Sequence, residues 1–198
     1  AASDVYKRQL SFDPSAKTAM DKQEPPAPGA DFRVVIVGAG NINFGSDEGP
    51  WNHSFRLEHK LGPRLKVVAL IDPDAERARR VLKTKCQSFV LSAYKDTVVY
   101  PTFKDYMASV CAETYPHAVW VGSPPAFRGG TEPGRNLEQL LTAGLPNVPL
   151  FIEKPVSTGA VDQTFEVAKM LEQNGSLVSV CYMLRYLKVV QKMKQIIA

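Results

Sequence analysis

The strongest constraint on the fold of this chain is Val34-Val35-Ile36-Val37, a continuous β-branched run that leads straight into Gly38-Ala39-Gly40. A strand with one wet face alternates polar and apolar residues. A run without alternation belongs to a strand covered on both faces, as in a parallel sheet flanked by helices. Similar runs recur at Val67 to Ile71, Ala118 to Val121, Leu150 to Ile152 and Leu177 to Val180. Helical patterns lie between them. Trp51 with Phe55 and Leu57 with Leu61 are four apart and stop at Gly62-Pro63. Phe103, Tyr106, Met107, Val110 and Cys111 form one apolar stripe, opened by the capping-box pair Thr102 and Asp105. Val161, Phe165, Ala168 and Leu171 form another, ended by Asn174-Gly175. Alternating strand and helix predict an α/β, doubly wound parallel sheet.

The glycines after the first strand narrow this further. In such a sheet a dinucleotide pyrophosphate rests on the first turn, where one glycine permits the bend and a second lets backbone approach the phosphates. Gly38, Ala39, Gly40, Asn41 and Ile42 are therefore the cofactor-binding candidates of that loop. The fingerprint asks for Gly or Ala three residues after Gly40, and Asn43 stands there, which predicts an enlarged loop and a late helix with Gly49 before it and Pro50 in its first turn. Asp47 and Glu48 are expected to face solvent or cap that helix, since they would repel phosphate. Asp72 ends the second strand, where a carboxylate accepts hydrogen bonds from ribose hydroxyls and disfavours a 2′-phosphate. NAD is expected on that ground. NADP is the alternative if Arg77, Arg79 or Arg80 offsets the charge, and a plain turn with a helix cap at Asp72-Pro73-Asp74 is the reading without a ligand.

Phe151-Ile152-Glu153-Lys154-Pro155 places a carboxylate and an amine at the carboxyl end of a strand, the edge that faces the ligand crevice in open α/β sheets. Proline ends the strand because it offers no N–H to the ladder.

Composition sets outer bounds. The chain has 198 residues, 44% hydrophobic, enough for one large domain with a packed core. A net charge of +4 is spread thinly, with Arg77, Arg79 and Arg80 the one dense group, so nucleic acid is not expected as a partner. Cys86, Cys111 and Cys181 show neither a disulfide framework nor zinc-ligand spacing, and are expected as free buried thiols in a reducing compartment. No apolar run reaches the roughly 20 residues of a membrane span, so a cytoplasmic protein without membrane contact is expected. Residues 1–30, with Pro25-Pro26-Ala27-Pro28-Gly29, are expected as a disordered leader. His53 and His59 are six apart and His117 precedes a strand, so all three are expected in structural or surface roles.

Gly38-Ala39-Gly40, Asp72, Ser123-Pro124-Pro125, Glu153-Lys154-Pro155, and Tyr182 with Arg185 together resemble the glucose-fructose oxidoreductase/inositol dehydrogenase (Gfo/Idh/MocA) family over residues 31 to 198. The resemblance implies a Rossmann domain over residues 31–182 that binds NAD(P), and residues 183–198 as the first helix of a second, α+β domain. It implies a dehydrogenase acting on a sugar or polyol, homo-oligomeric when whole. Lys154 would be the catalytic residue beside nicotinamide and substrate hydroxyl, and Glu153 would contact the nicotinamide ribose. Ser123, Pro124, Pro125 and Arg185 would complete the cofactor site. A non-catalytic NAD(P)-binding regulator of the same fold is the alternative. Ala126 and Arg128 stand where family members often carry histidines, and Cys181 stands where Gly is usual. The resemblance implies that the family's acid/base Asp and His belong to the second domain, of which residues 183–198 are expected to be only the first helix.

Overall fold

The β-branched run after Asp31 forms one of the two central strands of a six-stranded, all-parallel sheet of order β3-β2-β1-β4-β5-β6. The strands of this computed structural model, which describes residues 26–47 and 51–197, are β1 (Phe32–Val37), β2 (Leu65–Ile71), β3 (Val98–Tyr100), β4 (Ala118–Val121), β5 (Leu150–Ile152) and β6 (Val178–Val180). The helices are α1 (Asn41–Phe44), α2 (His53–Leu61), α3 (Ala75–Cys86), α4 (Leu91–Tyr94), α5 (Phe103–Met107), α6 (Leu137–Gly144), α7 (Val161–Gln173) and α8 (Lys188–Ile197). The leader expected over residues 1–30 lies largely outside the described residues.

Successive residues of each central strand face opposite layers, and the core divides accordingly. Val35, Val37, Ala69, Ile71, Val119, Val121, Leu150 and Ile152 pack toward Tyr106, Leu141 and Leu145. Val34, Ile36, Val67 and Leu70 pack toward Leu57, Ala78, Leu82 and Tyr94 on the other side. A run without alternation is what two covered faces require, and each such side chain contributes about 1.5–3 kcal/mol when fully buried.

Strand order reverses between β1 and β4, which pair in parallel from Val34↔Ala118 to Val37↔Val121. A crevice opens at such a switch point, outside the carboxyl ends of the strands. Every motif singled out above sits on that edge.

β3 leaves little trace in the sequence, because three residues paired only to β2 carry too little pattern. Three local expectations needed correction. α2 begins at His53 with Asn52 as its cap, accepting from Phe55 N at 2.9 Å, so it opens later than a Pro50 start; Glu48, Gly49 and Pro50 themselves lie outside the described residues. α5 closes at Met107, and Cys111 beyond it is exposed rather than buried; Cys181 is buried and Cys86 half-buried. α7 presents Val167 to the core while Val161 and Phe165 point outward, each 70% exposed. No helix among the described residues is long and apolar enough to cross a membrane.

Candidate functional site

Two loops meet at the switch point. Gly38, at φ +97°, leaves β1 with its N–H donating to Ile71 O, and a Cβ there would meet Ser123 N at 3.0 Å and Gly122 C at 3.1 Å. Glycine is required twice over, for the left-handed conformation and for the close approach of the β4 loop. Gly40 differs, since a Cβ on it would find no atom within 4 Å. Gly38 is thus fitted to the protein and Gly40 faces open space.

Asn43 explains the departure from the fingerprint. Its buried side chain donates from Nδ2 to Gly38 O at 2.6 Å and Val37 O at 3.2 Å, bracing the turn. A Cβ on Gly122 would collide with Asn43 Oδ1 and Nδ2. The small residue that close packing demands has moved from α1 to the end of β4. Asn43 Oδ1 is left buried without a partner among the described residues. The exposed side chain of Asp47 agrees with the expectation that acids here avoid phosphate.

Asp72 is 3% exposed and already engaged at both oxygens. Oδ2 accepts from Ala39 N at 2.7 Å; Oδ1 accepts from Asp74 N at 2.8 Å and from Arg77 Nη2 at 2.8 Å. Asp74 caps α3 by accepting from Arg77 N. The carboxylate therefore ties the glycine turn to the start of α3, and the half-exposed Arg77 stands in front of it.

On the other side of the switch point a cleft of about 450 Å³ is lined by Ile42, Trp51, Glu153, Lys154, Cys181, Tyr182, Met183 and Leu184. Lys154 is exposed, Glu153 is buried, and the Lys154–Pro155 peptide is cis. Glu153 Oε1 lies 2.7 Å from His53 Nε2, and His53 is 2% exposed, held between Trp120 and Phe151 at ring distances of 5.1 and 5.4 Å. Burial holds His53 below the usual imidazole range despite the opposing pull of Glu153. A neutral ring donating from Nε2 to the Glu153 carboxylate fits both facts. Cys181 completes the group. Burial, then its hydrogen bond to Glu153, pushes that thiol up to about 11.

The donor atoms of His53, Glu153 and Cys181 lie within 4.8 Å of one another. Arg56 and Lys154 both act electrostatically on this group, which disfavours a cation, and its three members are already hydrogen-bonded to one another through Glu153. It serves as a support for Glu153.

Arg128 is a second support that the sequence did not reveal. Fully buried, it donates from Nε to Ser123 O at 3.1 Å and from Nη1 to Pro155 O at 2.5 Å and Val156 O at 3.2 Å. Arg185, in contrast, is exposed, lies over the Tyr186 ring at 5.8 Å and does not line the cleft. Of the expected site residues, Ile42, Glu153 and Lys154 share one cleft. Gly38, Ala39, Asp72 and Ser123 form its adjoining frame, with Gly40, Asn41, Pro124 and Pro125 in the same two loops.

A family model described as an oxidoreductase family with an NAD-binding Rossmann fold matches residues 32–182. The chain belongs to the Gfo/Idh/MocA oxidoreductase family. It is 43% identical over 172 residues to an uncharacterised protein of Schizosaccharomyces pombe, covering 86% of this chain and 45% of that protein. The chain spans about half the length of the curated relatives it matches. Among solved structures it is similar to a super-repressor mutant of Gal80p from Saccharomyces cerevisiae, with TM-score 0.60, 17% identity, and 85% and 38% of the two chains covered. It is similar also to scyllo-inositol dehydrogenase from Lactobacillus casei with bound NAD(H) and scyllo-inositol, with TM-score 0.53, 17% identity, and 84% and 41% covered. At that identity the two structures speak for the fold.

The residues of this Gfo/Idh/MocA chain fit a dinucleotide. Gly40 has open space where phosphates approach, Gly38 keeps the turn tight, and Asn43 Oδ1 and Ser123 Oγ are buried polar atoms without partners among the described residues.

Proposed function

We propose that the protein containing this chain is an NAD(P)-dependent dehydrogenase acting on a CH–OH group of a sugar-like or polyol substrate, with Lys154 as its catalytic residue. The observation that carries this reading is Lys154 lining a cleft at the carboxyl ends of β5 and β6, beside a glycine turn suited to phosphates. A bound nicotinamide would supply the hydride acceptor. The chain's own contribution is placement and charge. Gly38 and Ala39, whose N–H groups are bonded to Ile71 and Asp72, shape the turn, Gly40, Asn41 and Ile42 receive the pyrophosphate through backbone, and Ser123, Pro124 and Pro125 flank the cofactor. Glu153, fixed by His53, takes a ribose hydroxyl. Lys154 holds the substrate oxygen and stabilises the alkoxide charge that develops as the hydroxyl proton passes to solvent, before hydride leaves carbon and the carbonyl forms.

NAD remains the proposed cofactor. What supports NAD is the negative charge of Asp72 at the carboxyl end of β2, which opposes a 2′-phosphate, with Arg77 paired to that carboxylate. Arg185 stays a proposed cofactor contact from the rim.

In the whole protein, Lys154→Ala should lower turnover by about 10²–10³-fold while the NADH dissociation constant changes less than about threefold. Near-normal turnover would remove the lysine from the mechanism. Stoichiometric NADH binding with no turnover on any sugar, polyol or dicarbonyl would favour a dinucleotide-binding regulator instead.

A further inference from the structure

Arg128 is the largest fully buried side chain among the described residues, and no carboxylate lies within ion-pair distance of it. A guanidinium stays charged when buried, and its desolvation is costly. Its acceptors are three backbone carbonyls, one on the loop after β4 and two on the loop after β5. Burial works against its charge, while Glu138 and then Glu153 favour it from farther off. An apolar side chain of the same volume would fill this space with less desolvation, so stability alone does not account for an arginine here.

The neighbouring backbone shows what the arginine achieves. Gly129, at φ +70°, passes so close to Val156 O that a Cβ there would collide with it. Its N–H donates to Glu138 Oε2 of α6 at 2.8 Å, and its carbonyl accepts from Thr164 Oγ1 of α7 at 3.2 Å. The two loops are therefore pressed main chain against main chain and anchored to two helices. The side chain of Arg128 hydrogen-bonds carbonyls of both loops on either side of Lys154. Arginine suits the task because its planar fork offers five donors at fixed angles, whereas lysine offers one compact centre.

We propose that Arg128 is the positioning residue of Lys154: by binding carbonyls of the Pro-Pro loop and of the Glu-Lys-Pro loop together, it sets the register in which the lysine amine faces the cleft. The role rests on Lys154 being the residue that meets substrate oxygen, as proposed above. Carbonyl acceptors carry no sequence signal, which is why Arg128 looked like a mere departure from the family's histidines. No substrate is needed to test it.

The experiment compares wild type, Arg128→Lys and Arg128→Met by hydrogen exchange of peptides and by the NMR signal of Lys154 after reductive ¹³C-methylation, assigned through its loss in Lys154→Arg. Losing hydrogen bonds to a charged group should speed exchange about tenfold in the peptides covering 123–130 and 153–158, with those covering β1 and β2 unchanged. The Lys154 signal should shift or broaden in both variants while other lysine signals hold still. Arg128→Lys should resemble Arg128→Met, because charge without the fork cannot bridge two loops. Wild-type behaviour of Arg128→Lys, a change confined to one loop, or equal acceleration along the whole chain would each overturn the proposal. Should a variant fail to fold, the wild-type protein decides, since both loops must open with one exchange free energy and separate openings would refute the link. Failure of the dehydrogenase reading would appear instead in the turnover of Lys154→Ala, leaving the exchange result intact.

Discussion

The two halves of the site are built by opposite means. At the β1–β2 side the protein has removed side chains or turned them inward: Gly38 and Gly40 leave backbone bare, Asn43 is buried under the turn, and Asp72 spends both oxygens on Ala39 N, Asp74 N and Arg77. At the β5–β6 side it has added them: Lys154 lines the cleft, and His53, Arg128 and Cys181 are buried nearby. Backbone amides can meet a phosphate only where no side chain intervenes. A group that must meet one substrate atom needs its own support, because a misplacement of about 1 Å costs rate.

The contrast is broken most severely at the seam between the halves. Gly122→Ala should cost about 1–3 kcal/mol, seen as a lower thermal midpoint, because its methyl would displace the buried Asn43. The double variant Asn43→Gly with Gly122→Ala should recover much of that loss, since it returns the glycine to the usual place in the fingerprint. Independent, additive losses would show that the two positions are not exchanging one requirement.

Asp72→Asn comes next. Losing the Arg77 ion pair and weakening the Ala39 bond should cost about 1–2 kcal/mol in chemical denaturation and weaken NADH binding, because the carboxylate holds the turn itself. Unchanged cofactor affinity would separate Asp72 from the phosphate loop.

His53 provides a pH test of the other half. Burial depresses its proton affinity in the folded state, so the unfolded chain takes up protons first as pH falls below the usual 6.5. Its contribution is complete above that value and is lost as pH drops toward the folded pKa. His117, also depressed by burial, acts with the same sign. The thermal midpoint should therefore decline between pH 7 and 5, and His53→Gln, which keeps a donor for Glu153, should flatten part of that decline. In Glu153→Gln the His53 resonance should titrate at still lower pH, because Glu153 is what raises it.

The smallest effect concerns thiols. Exposed Cys111 should react with iodoacetamide well before buried Cys181, whose thiol is pushed to about 11. Equal rates would contradict the packing of Cys181 against Glu153.

These contrasts also mark what the chain's residues disclose. The strand runs were legible because two covered faces demand unbroken apolar residues, and the glycine turn because bare backbone leaves glycines behind. His53 was not, since its partner Glu153 lies 100 residues away and spacing within one helix says nothing of that contact. Nor was Arg128, bound to carbonyls that any residue could supply. The α7 stripe was misassigned because period alone identifies a helix, while the neighbouring layer decides which side is covered; Val167 faces in and Phe165 out.

One measurement bears most directly on a single dinucleotide site spanning both halves: hydrogen exchange of the protein with and without NADH. The account predicts slowed exchange in peptides covering 38–44 and also in those covering 123–128 and 153–156. Protection confined to one half, or none at saturating NADH, would contradict it.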